Sequence, residues 1–405
     1  MIATLIRRSA RTFTSLLSTA AAAGAVLTAA AGSLAPALPI SVQVQRGGDD
    51  LAAHIRGLSA PEARERAMAA CRISRMRGTD VTTAREALLA LLGDGEEVEG
   101  RLCREWGNWR GGRERTSSPG REAAIAIERV GDGALEPLLD VLDDGTPTAR
   151  ENAALALGLL ESSLALDALG DAARDDQAEA VRAQAAWAMG MIESSAALDT
   201  LERVLQDDSP LVREQAAWAL GMIEASAAVP ALIRAMDDAN QGVREEAAWA
   251  LGMIEAADAV PGLQRALRDE SADVREQAAW ALGMIESADG VEPLVGALRD
   301  EDADVREQAA WGLGMIESST AVAGLLEALR DEDAEVRKQA AWALGMIEDG
   351  AAVEGLMAAL EDEDVEVRKQ VLWALTRCIE GDDVELDYAA LAEKLRRALL
   401  GGGRG

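Results

Sequence analysis

The chain of 405 residues carries a formal net charge of -31, and only 3% of its residues are aromatic. This charge argues against a nucleic-acid partner, because nucleic-acid binding needs a basic surface. Three cysteines and a single histidine, His54, are too few for a disulfide framework or a zinc site. We therefore expect no metal site, no cofactor and no catalytic residues.

The N-terminus has the pattern of a targeting segment. Arg7 and Arg8 precede an apolar, Ala-rich run at 16–34, and a small-x-small site follows it. A positive end, an apolar middle and a small-residue site predict a secretory signal at 1–37. The alternative is an uncleaved membrane anchor through the same run, since about 20 apolar residues span a bilayer. Both predict export, to the periplasm or the extracellular space, and residues 38–50 follow as a flexible lead.

Two segments precede the regular part of the chain. Residues 51–93 are predicted to form a degenerate N-terminal capping repeat, because end repeats need a polar outer face. Residues 94–120 form a loop rich in Gly and Arg that also contains Trp106 and Trp109. Basic residues interleaved with Trp are one pattern for single-strand nucleic-acid contact. Charge complementarity favours the other interpretation, a loop that lies against the acidic remainder of the protein.

The second half of the chain is periodic, and every step between its tryptophans is 31 residues. They are Trp187, Trp218, Trp249, Trp280, Trp311, Trp342 and Trp373. Leu155 holds the same place in an earlier copy, and Ile125 and Ala69 hold it in weaker ones. A period of this length is typical of a solenoid, a propeller or an array.

One copy, residues 291–317, predicts two helices. Apolar residues at helical spacing mark one face of a first helix: Val291, Leu294, Val295 and Leu298. Asp302 is then the N-cap of a second helix, and similar residues recur at its place: Thr146, Ser209, Asn240, Ser271, Asp333 and Asp364, with Ala178 the exception. The second helix packs on the first through one face: Val305, Ala309, Gly312 and Ile316.

The pattern Asp…Val-Arg…Ala-Ala-x-Ala-Leu-Gly-x-Ile resembles HEAT repeats, specifically the short type found in phycobilisome lyases. The resemblance implies an all-α fold, a right-handed α-solenoid of stacked two-helix repeats over 121–380. A C-terminal capping helix and tail would close it at 381–405. It also implies a ladder of Asp and Arg side chains six residues apart, such as Asp300 and Arg306, with a structural role.

The Trp and Met of each copy are four residues apart, so they share one side of the second helix. We predict that this side faces away from the first helix, on the concave surface. The predicted ligand-binding residues are Trp187, Met191, Trp218, Met222, Trp249, Met253, Trp280, Met284, Trp311, Met315, Trp342 and Met346. With neighbouring helices about 8–10 Å apart, an extended peptide would meet one indole about every third residue. The arrangement resembles armadillo-repeat importins, which grip an extended basic peptide through Trp and Asn, although Met replaces that Asn here.

Three functions follow from these observations. The first is an exported, non-enzymatic scaffold that binds a protein or an extended peptide; acidic turns make a basic partner one option. Such a scaffold contacts a membrane only if its N-terminal segment is uncleaved. The second, implied by the resemblance, is a chromophore-handling enzyme like the phycobilisome lyases. The third is a structural spacer, in which Trp and Met only seal the seams between repeats.

Overall fold

The computed structural model describes residues 50–77, 80–99, 102 and 116–381. The predicted signal, almost all of the flexible lead and the predicted C-terminal helix and tail lie outside these residues. Within the described part of the chain, no helix is both long and apolar enough to cross a membrane.

Twenty α-helices alternate along the described residues as the first and second helices of ten repeats. The first helices are α1 Leu51–Gly57, α3 Arg85–Leu91, α5 Leu135–Asp144, α7 Leu166–Asp175, α9 Leu198–Val204, α11 Val229–Ala235, α13 Val260–Ala266, α15 Val291–Ala297, α17 Val322–Ala328 and α19 Val353–Ala359. The second helices are α2 Ala63–Arg75, α4 Pro119–Ile127, α6 Pro147–Leu159, α8 Glu179–Met191, α10 Pro210–Ile223, α12 Gln241–Ile254, α14 Ala272–Ile285, α16 Ala303–Ile316, α18 Ala334–Ile347 and α20 Val365–Gly381. The predicted all-α architecture of two-helix repeats is confirmed.

The second helices begin where their caps predict. Asp302 and Asp333 are N-caps, and their carboxylates accept the backbone N–H groups of Asp304 and Glu335 at 2.9 and 2.7 Å. Thr146 caps α6 in the same way, with proline at the first helical position. Ser209 and Ser271 hold the N-cap position without a side-chain capping bond. In these two repeats the serine therefore marks the start of the helix, but its side chain does not accept a hydrogen bond from the first backbone N–H groups of that helix.

The two helices of each repeat pack through the predicted faces. In the copy at 291–317, Leu294 of α15 and Val305 of α16 are fully buried. A Cβ added to Gly312 would lie 3.1 Å from Leu294 Cδ1, so α16 approaches α15 closely at this point. The core of the array is thus a continuous layer of Ala, Val and Leu between first and second helices.

Second helices of neighbouring repeats also pack tightly against each other. A Cβ added to the glycine near the end of a second helix would lie 2.7–3.0 Å from a Cα of the next second helix. These glycines are Gly158, Gly190, Gly221, Gly252, Gly283, Gly314 and Gly345. Glycine is required here because any side chain would meet the backbone of the neighbouring helix as well as an indole ring.

The segment predicted as a loop at 94–120 lies between the two helices of one repeat, α3 and α4. Its two ends pair as short antiparallel strands, β1 Val98–Glu99 and β2 Thr116–Ser117. Trp106 and Trp109 lie outside the described residues. The predicted domain boundaries stay predictions, but this placement makes the loop an insertion within the array.

Candidate protein-binding surface

A ladder of arginine and aspartate side chains holds successive repeats in register. Each arginine donates two hydrogen bonds, of 2.6–3.0 Å, through Nε and Nη2 to the carboxylate of the next repeat. The pairs are Arg150–Asp176, Arg182–Asp207, Arg213–Asp238, Arg244–Asp269, Arg275–Asp300, Arg306–Asp331 and Arg337–Asp362. Bidentate pairs of this kind fix geometry as well as charge.

Each ladder residue also satisfies backbone groups. Arg244 Nη1 donates to the carbonyl of Asp238 at 3.0 Å, and Asp269 Oδ1 accepts the N–H of Ser271 at 2.9 Å. The resemblance to HEAT repeats implied a structural ladder of Asp and Arg residues six apart, such as Asp300 and Arg306. The structure shows that this pair meets through the Asp300 carbonyl, and that the carboxylate partner of Arg306 is Asp331. The ladder therefore links repeats rather than only closing one turn.

The arginine and aspartate side chains of the ladder stabilise each other in their charged forms. Burial alone would raise the pKa of Asp269, but hydrogen bonds from Arg244 and from the Ser271 backbone outweigh it and lower that pKa. The hydrogen bond that Arg244 donates to Asp269 raises the pKa of Arg244, although burial alone would lower it. The ladder residues are thus held as ion pairs within the fold, and they are not poised for proton transfer.

The tryptophans lie in the seams between second helices. The indole Cζ3 of Trp280 lies 2.7 Å from where a Cβ on Gly252 would be, and the same arrangement recurs at every seam from Gly158 to Gly345. Trp218 is buried at 6% exposure, whereas Trp187, Trp249, Trp280, Trp311 and Trp342 are partly exposed. The rings therefore seal the seams and still present part of their surface to solvent.

Neighbouring indoles stack on one another at one end of this row. The ring centroids of Trp187 and Trp218 are 6.1 Å apart with an interplanar angle of 11°. Those of Trp218 and Trp249 are 6.5 Å apart at 5°. Both spacings are shorter than the helix spacing of about 8–10 Å assumed from the sequence. The indoles thus approach each other more closely than we expected.

The predicted methionines lie beside the tryptophans on the same helices. Met191, Met222, Met253, Met315 and Met346 are partly exposed. Met284 is the exception, with 9% of its surface exposed. We call the twelve predicted Trp and Met residues the Trp–Met row, and its role in binding stays a prediction.

Carboxylates border the Trp–Met row toward the N-terminal ends of the second helices. Glu276 precedes Trp280 by four residues, and Glu307 precedes Trp311 by four, so each pair shares a helix face. Burial raises the pKa of Glu276, and the charges of Asp304 and Asp273 add to the rise. Burial likewise raises the pKa of Glu307, with a further rise from Glu335. The negative charge of each glutamate is therefore disfavoured by its burial and by neighbouring acids.

A second row of carboxylates was missed from the sequence. The residue that follows the last Ile or Leu of seven second helices is Glu, with a φ of 51–56°. They are Glu161, Glu193, Glu224, Glu255, Glu286, Glu317 and Glu348. Left-handed backbone is uncommon for a residue with a side chain, and glycine normally ends a helix this way. The only sequence signal was a Glu at the same place in every copy.

Comparison with protein families identifies the repeats. The family of HEAT repeats matches residues 120–190, 166–252, 198–279, 229–314, 260–334, 291–376 and 322–398. Together these matches span most of the chain, which therefore belongs to the HEAT-repeat family. The identification made from the sequence pattern is confirmed.

Solved structures share this fold. Importin beta crystallised from ammonium sulfate matches with a TM-score of 0.60 at 15% identity, over 84% of this chain and 52% of that one. A Kap95p–RanGDP structure matches with a TM-score of 0.54 at 15% identity, over 88% and 58%. The CpcE–CpcF complex of phycocyanin lyase from Nostoc sp. PCC7120 matches with a TM-score of 0.37 at 25% identity, over 60% and 94%. This chain spans about half the length of the two importin chains.

No curated protein matches the sequence significantly. Among the residues that the structure describes, no group of three His, Cys, Asp or Glu side chains is placed to hold a metal ion.

Proposed function

We propose that this HEAT-repeat protein is an exported, non-enzymatic scaffold that binds a protein or an extended peptide on its Trp–Met row. The observation that carries the proposal is the row of partly exposed indoles along the second helices. Buried apolar side chains need no partner, but a row in which ten of twelve Trp and Met side chains are partly exposed has the composition of an interaction surface. Met is also common on surfaces that bind varied partners, because its flexible thioether adapts to them.

Packing of the two helix layers supports a concave position for this row. A Cβ on the glycines near the ends of the second helices would approach neighbouring backbone, whereas one on the first-helix glycines would meet only side chains or, at Gly296, nothing within 4 Å. A Cβ on Gly324, for example, would lie 3.0 Å from Val295 Cγ1, and one on Gly355 would meet Leu326 Cδ2. A stack of repeats curves toward its more closely packed layer. The second helices would then line the inner surface that solenoids use for binding.

A protein of the same fold that binds another protein supports a protein partner for this chain. Kap95p binding induces the switch loops of RanGDP to adopt the GTP-bound conformation. That importin shares the solenoid fold with this chain at 15% identity. An identity this low indicates a common fold and does not identify the partner of this chain. A protein or peptide partner is accordingly part of our proposal.

Export is supported by the sequence alone. The positive, apolar and small-residue pattern of residues 1–37 is the signature of a secretory signal. A scaffold that acts outside the cytoplasm would meet partners there, and it would contact a membrane only through an uncleaved segment at 16–34. Mass measurement of the protein recovered from cell fractions tests this part, because cleavage shortens the chain by about 37 residues.

A structural spacer is the second candidate, and the seam contacts of the indoles favour it. To separate the two, the mature protein is immobilised and its bound proteins are compared with those of a Trp249→Ala/Trp280→Ala variant. Leu164→Ala is the matched control, because Leu164 is an exposed apolar residue outside the row, at 75% exposure. The proposal predicts proteins that the wild type and the Leu164 variant retain and the double variant loses.

The Trp249→Ala/Trp280→Ala variant also loses packing between helices, so a second variant that keeps the indoles serves as a control. Met253→Glu places a charge on the partly exposed part of the row and leaves the indoles in their seams. Circular dichroism verifies that each variant folds. If folded variants at both places retain every bound protein, the binding surface is excluded and the spacer is the better account.

A further inference from the structure

We propose that the Trp–Met row binds an extended polypeptide segment with two parts, an apolar part of alternating side chains over α8, α10 and α12 and a Lys- or Arg-rich part over α14 and α16. This inference rests on the proposed function and names the chemistry of the partner. Two observations carry it, the spacing of the indoles and the distribution of charge along the row.

The spacing of the stacked indoles matches an extended chain. The centroids of Trp187, Trp218 and Trp249 follow one another at 6.1 and 6.5 Å. In an extended chain, side chains on one face recur every two residues, or about 6.6 Å. Alternate side chains of a bound segment would therefore keep register with the indoles, and the partly exposed rings of Trp187 and Trp249, on either side of the buried Trp218, would make the contacts. A helix, whose residues rise about 1.5 Å each, has no such match at a two-residue period.

Charge beside the row is concentrated at two helices. On α14, Asp273 and Glu276 lie on the turns before Trp280, and on α16, Asp304 and Glu307 lie on the turns before Trp311. The same two positions hold Leu211 and Glu214 on α10, and Gly242 and Glu245 on α12. On α8 both are alanine, Ala180 and Ala183. Carboxylates thus accumulate toward α14 and α16.

The accumulation ends at the next helix. On α18 the corresponding residues are Glu335 and Lys338, which form an ion pair with each other. On α20 they are Glu366 and Lys369, which pair in the same way at 2.7 Å. The negative charge at these two positions is therefore highest on α14 and α16, lower on α10 and α12, and balanced within ion pairs on the C-terminal side.

The carboxylates at α14 and α16 are in an unfavourable environment that a cation would relieve. Burial raises the pKa of Glu276 and of Glu307, and neighbouring acids raise both further, while Lys338 offsets part of the rise at Glu307. An indole that shares a helix face with a carboxylate can contact the apolar stem and the charge of Lys or Arg while the carboxylate pairs with that charge.

Synthetic peptides test the inference directly. One peptide of about 16 residues carries four leucines at alternate positions followed by four lysines, and a second carries the same two parts in reverse order. A reference peptide replaces the lysines by glutamine. Binding of each labelled peptide is measured by fluorescence anisotropy with the full chain. We expect at least one lysine peptide to bind, with the glutamine peptide weaker and the difference reduced at high salt.

Two charge-matched variants locate the cationic part. Glu276→Gln/Glu307→Gln removes two charges beside the indoles, and Glu292→Gln/Glu354→Gln removes two from the exposed surface of first helices α15 and α19. We expect the first variant to weaken lysine-peptide binding about fivefold, since each exposed pair is worth about 0.5 kcal/mol. The second variant should change binding less than about twofold.

The outcomes separate this inference from the proposed function. If the glutamine peptide binds as well as the lysine peptides, or both charge variants act equally, the cationic part is overturned. The binding surface itself still stands in that case if Trp249→Ala/Trp280→Ala weakens every peptide. If no peptide binds, the inference is overturned, and the proposed function is decided by the protein-capture experiment alone.

Discussion

The indole of Trp280 lies directly over the α-carbon position of Gly252, with Cζ3 2.7 Å from where a Cβ would be and Ala281 Cα at 2.9 Å. Replacing glycine by alanine inside an exposed helix normally stabilises it by about 0.5–1 kcal/mol. We predict the opposite for Gly252→Ala, a loss of about 1–3 kcal/mol, because the methyl group would separate two packed helices. Urea unfolding measures the change.

The control for this prediction is another helical glycine of the array. Gly296 lies in first helix α15, and an added Cβ there would meet nothing within 4 Å. Gly296→Ala should therefore raise the free energy of unfolding by a few tenths to about 1 kcal/mol. Equal effects of the two changes would show that the seams do not depend on glycine.

Asp269→Asn tests the ladder. The substitution leaves the Arg244 guanidinium, whose side chain is 9% exposed, without the carboxylate that binds it through two hydrogen bonds. Breaking a buried pair by removing one partner costs about 3–5 kcal/mol. We expect about 3 kcal/mol, the lower end of this range, because the Asp269 side chain keeps 12% of its surface exposed. Chemical denaturation of the folded variant gives the value.

Glu270→Gln is the matched control, because Glu270 contacts the same arginine. Its carboxylate lies 3.5 Å from Arg244 Nη2 but is 89% exposed. Exposed ion pairs contribute about 0–1 kcal/mol, so this change should be nearly neutral. A neutral Asp269→Asn, or a Glu270→Gln as damaging as it, would refute the assignment of the ladder to stability.

Stability should pass through a maximum in mildly acidic solution. The pKa of Glu276 and of Glu307 is raised in the folded protein, so the folded state takes up protons first as pH falls from about 7 toward their ordinary value of 4.5. That uptake stabilises the fold. The pKa of Asp269 is lowered below 3.8, and so are those of five other ladder carboxylates: Asp176, Asp207, Asp238, Asp300 and Asp331. Their contribution is therefore complete above that value and is lost as pH falls through the folded pKa.

Urea midpoints measured between about pH 7 and pH 3 test this profile. The wild type should gain stability down to about pH 4.5 and lose it steeply below the ordinary aspartate value. The Glu276→Gln/Glu307→Gln variant should show a smaller gain than Glu292→Gln/Glu354→Gln, which removes the same charge elsewhere. A monotonic fall from neutral pH downward would be inconsistent with repelling carboxylates beside the row.

The fold could be predicted well from the sequence because its signals are local and repeated. N-caps such as Asp302, proline at the first helical position and a fixed period each mark the same helix starts in copy after copy. The apolar faces of the two helices followed from helical spacing alone. Where a pattern is repeated this often, local preferences and tertiary packing specify the same structure.

Features that depend on contact between copies were harder to predict. The carboxylate partner of Arg306 is Asp331 in the next repeat, a contact that the six-residue spacing of Asp300 and Arg306 did not specify. The indole stacking of 6.1–6.5 Å depends on side-chain orientation across a seam. Burial of Met284 also reflects local packing, since the equivalent methionines are partly exposed. Spacing within one copy carries no information on any of these.

The left-handed Glu residues show a further limit. Helix ends of this kind usually carry glycine, so the recurring Glu286 and its equivalents gave no reason to predict a positive φ. The structure shows that these Glu residues end the second helices in the left-handed conformation that glycine usually supplies.

The most direct measurement of the central claim is acrylamide quenching of the Trp fluorescence, with and without a bound protein or peptide from the capture experiment. The partly exposed indoles predict substantial quenching of the free protein, and a ligand on the row should reduce it. The reduction should be lost in the Met253→Glu variant. Equal quenching with and without a bound ligand, or indoles inaccessible from the start, would contradict a binding role for the Trp–Met row.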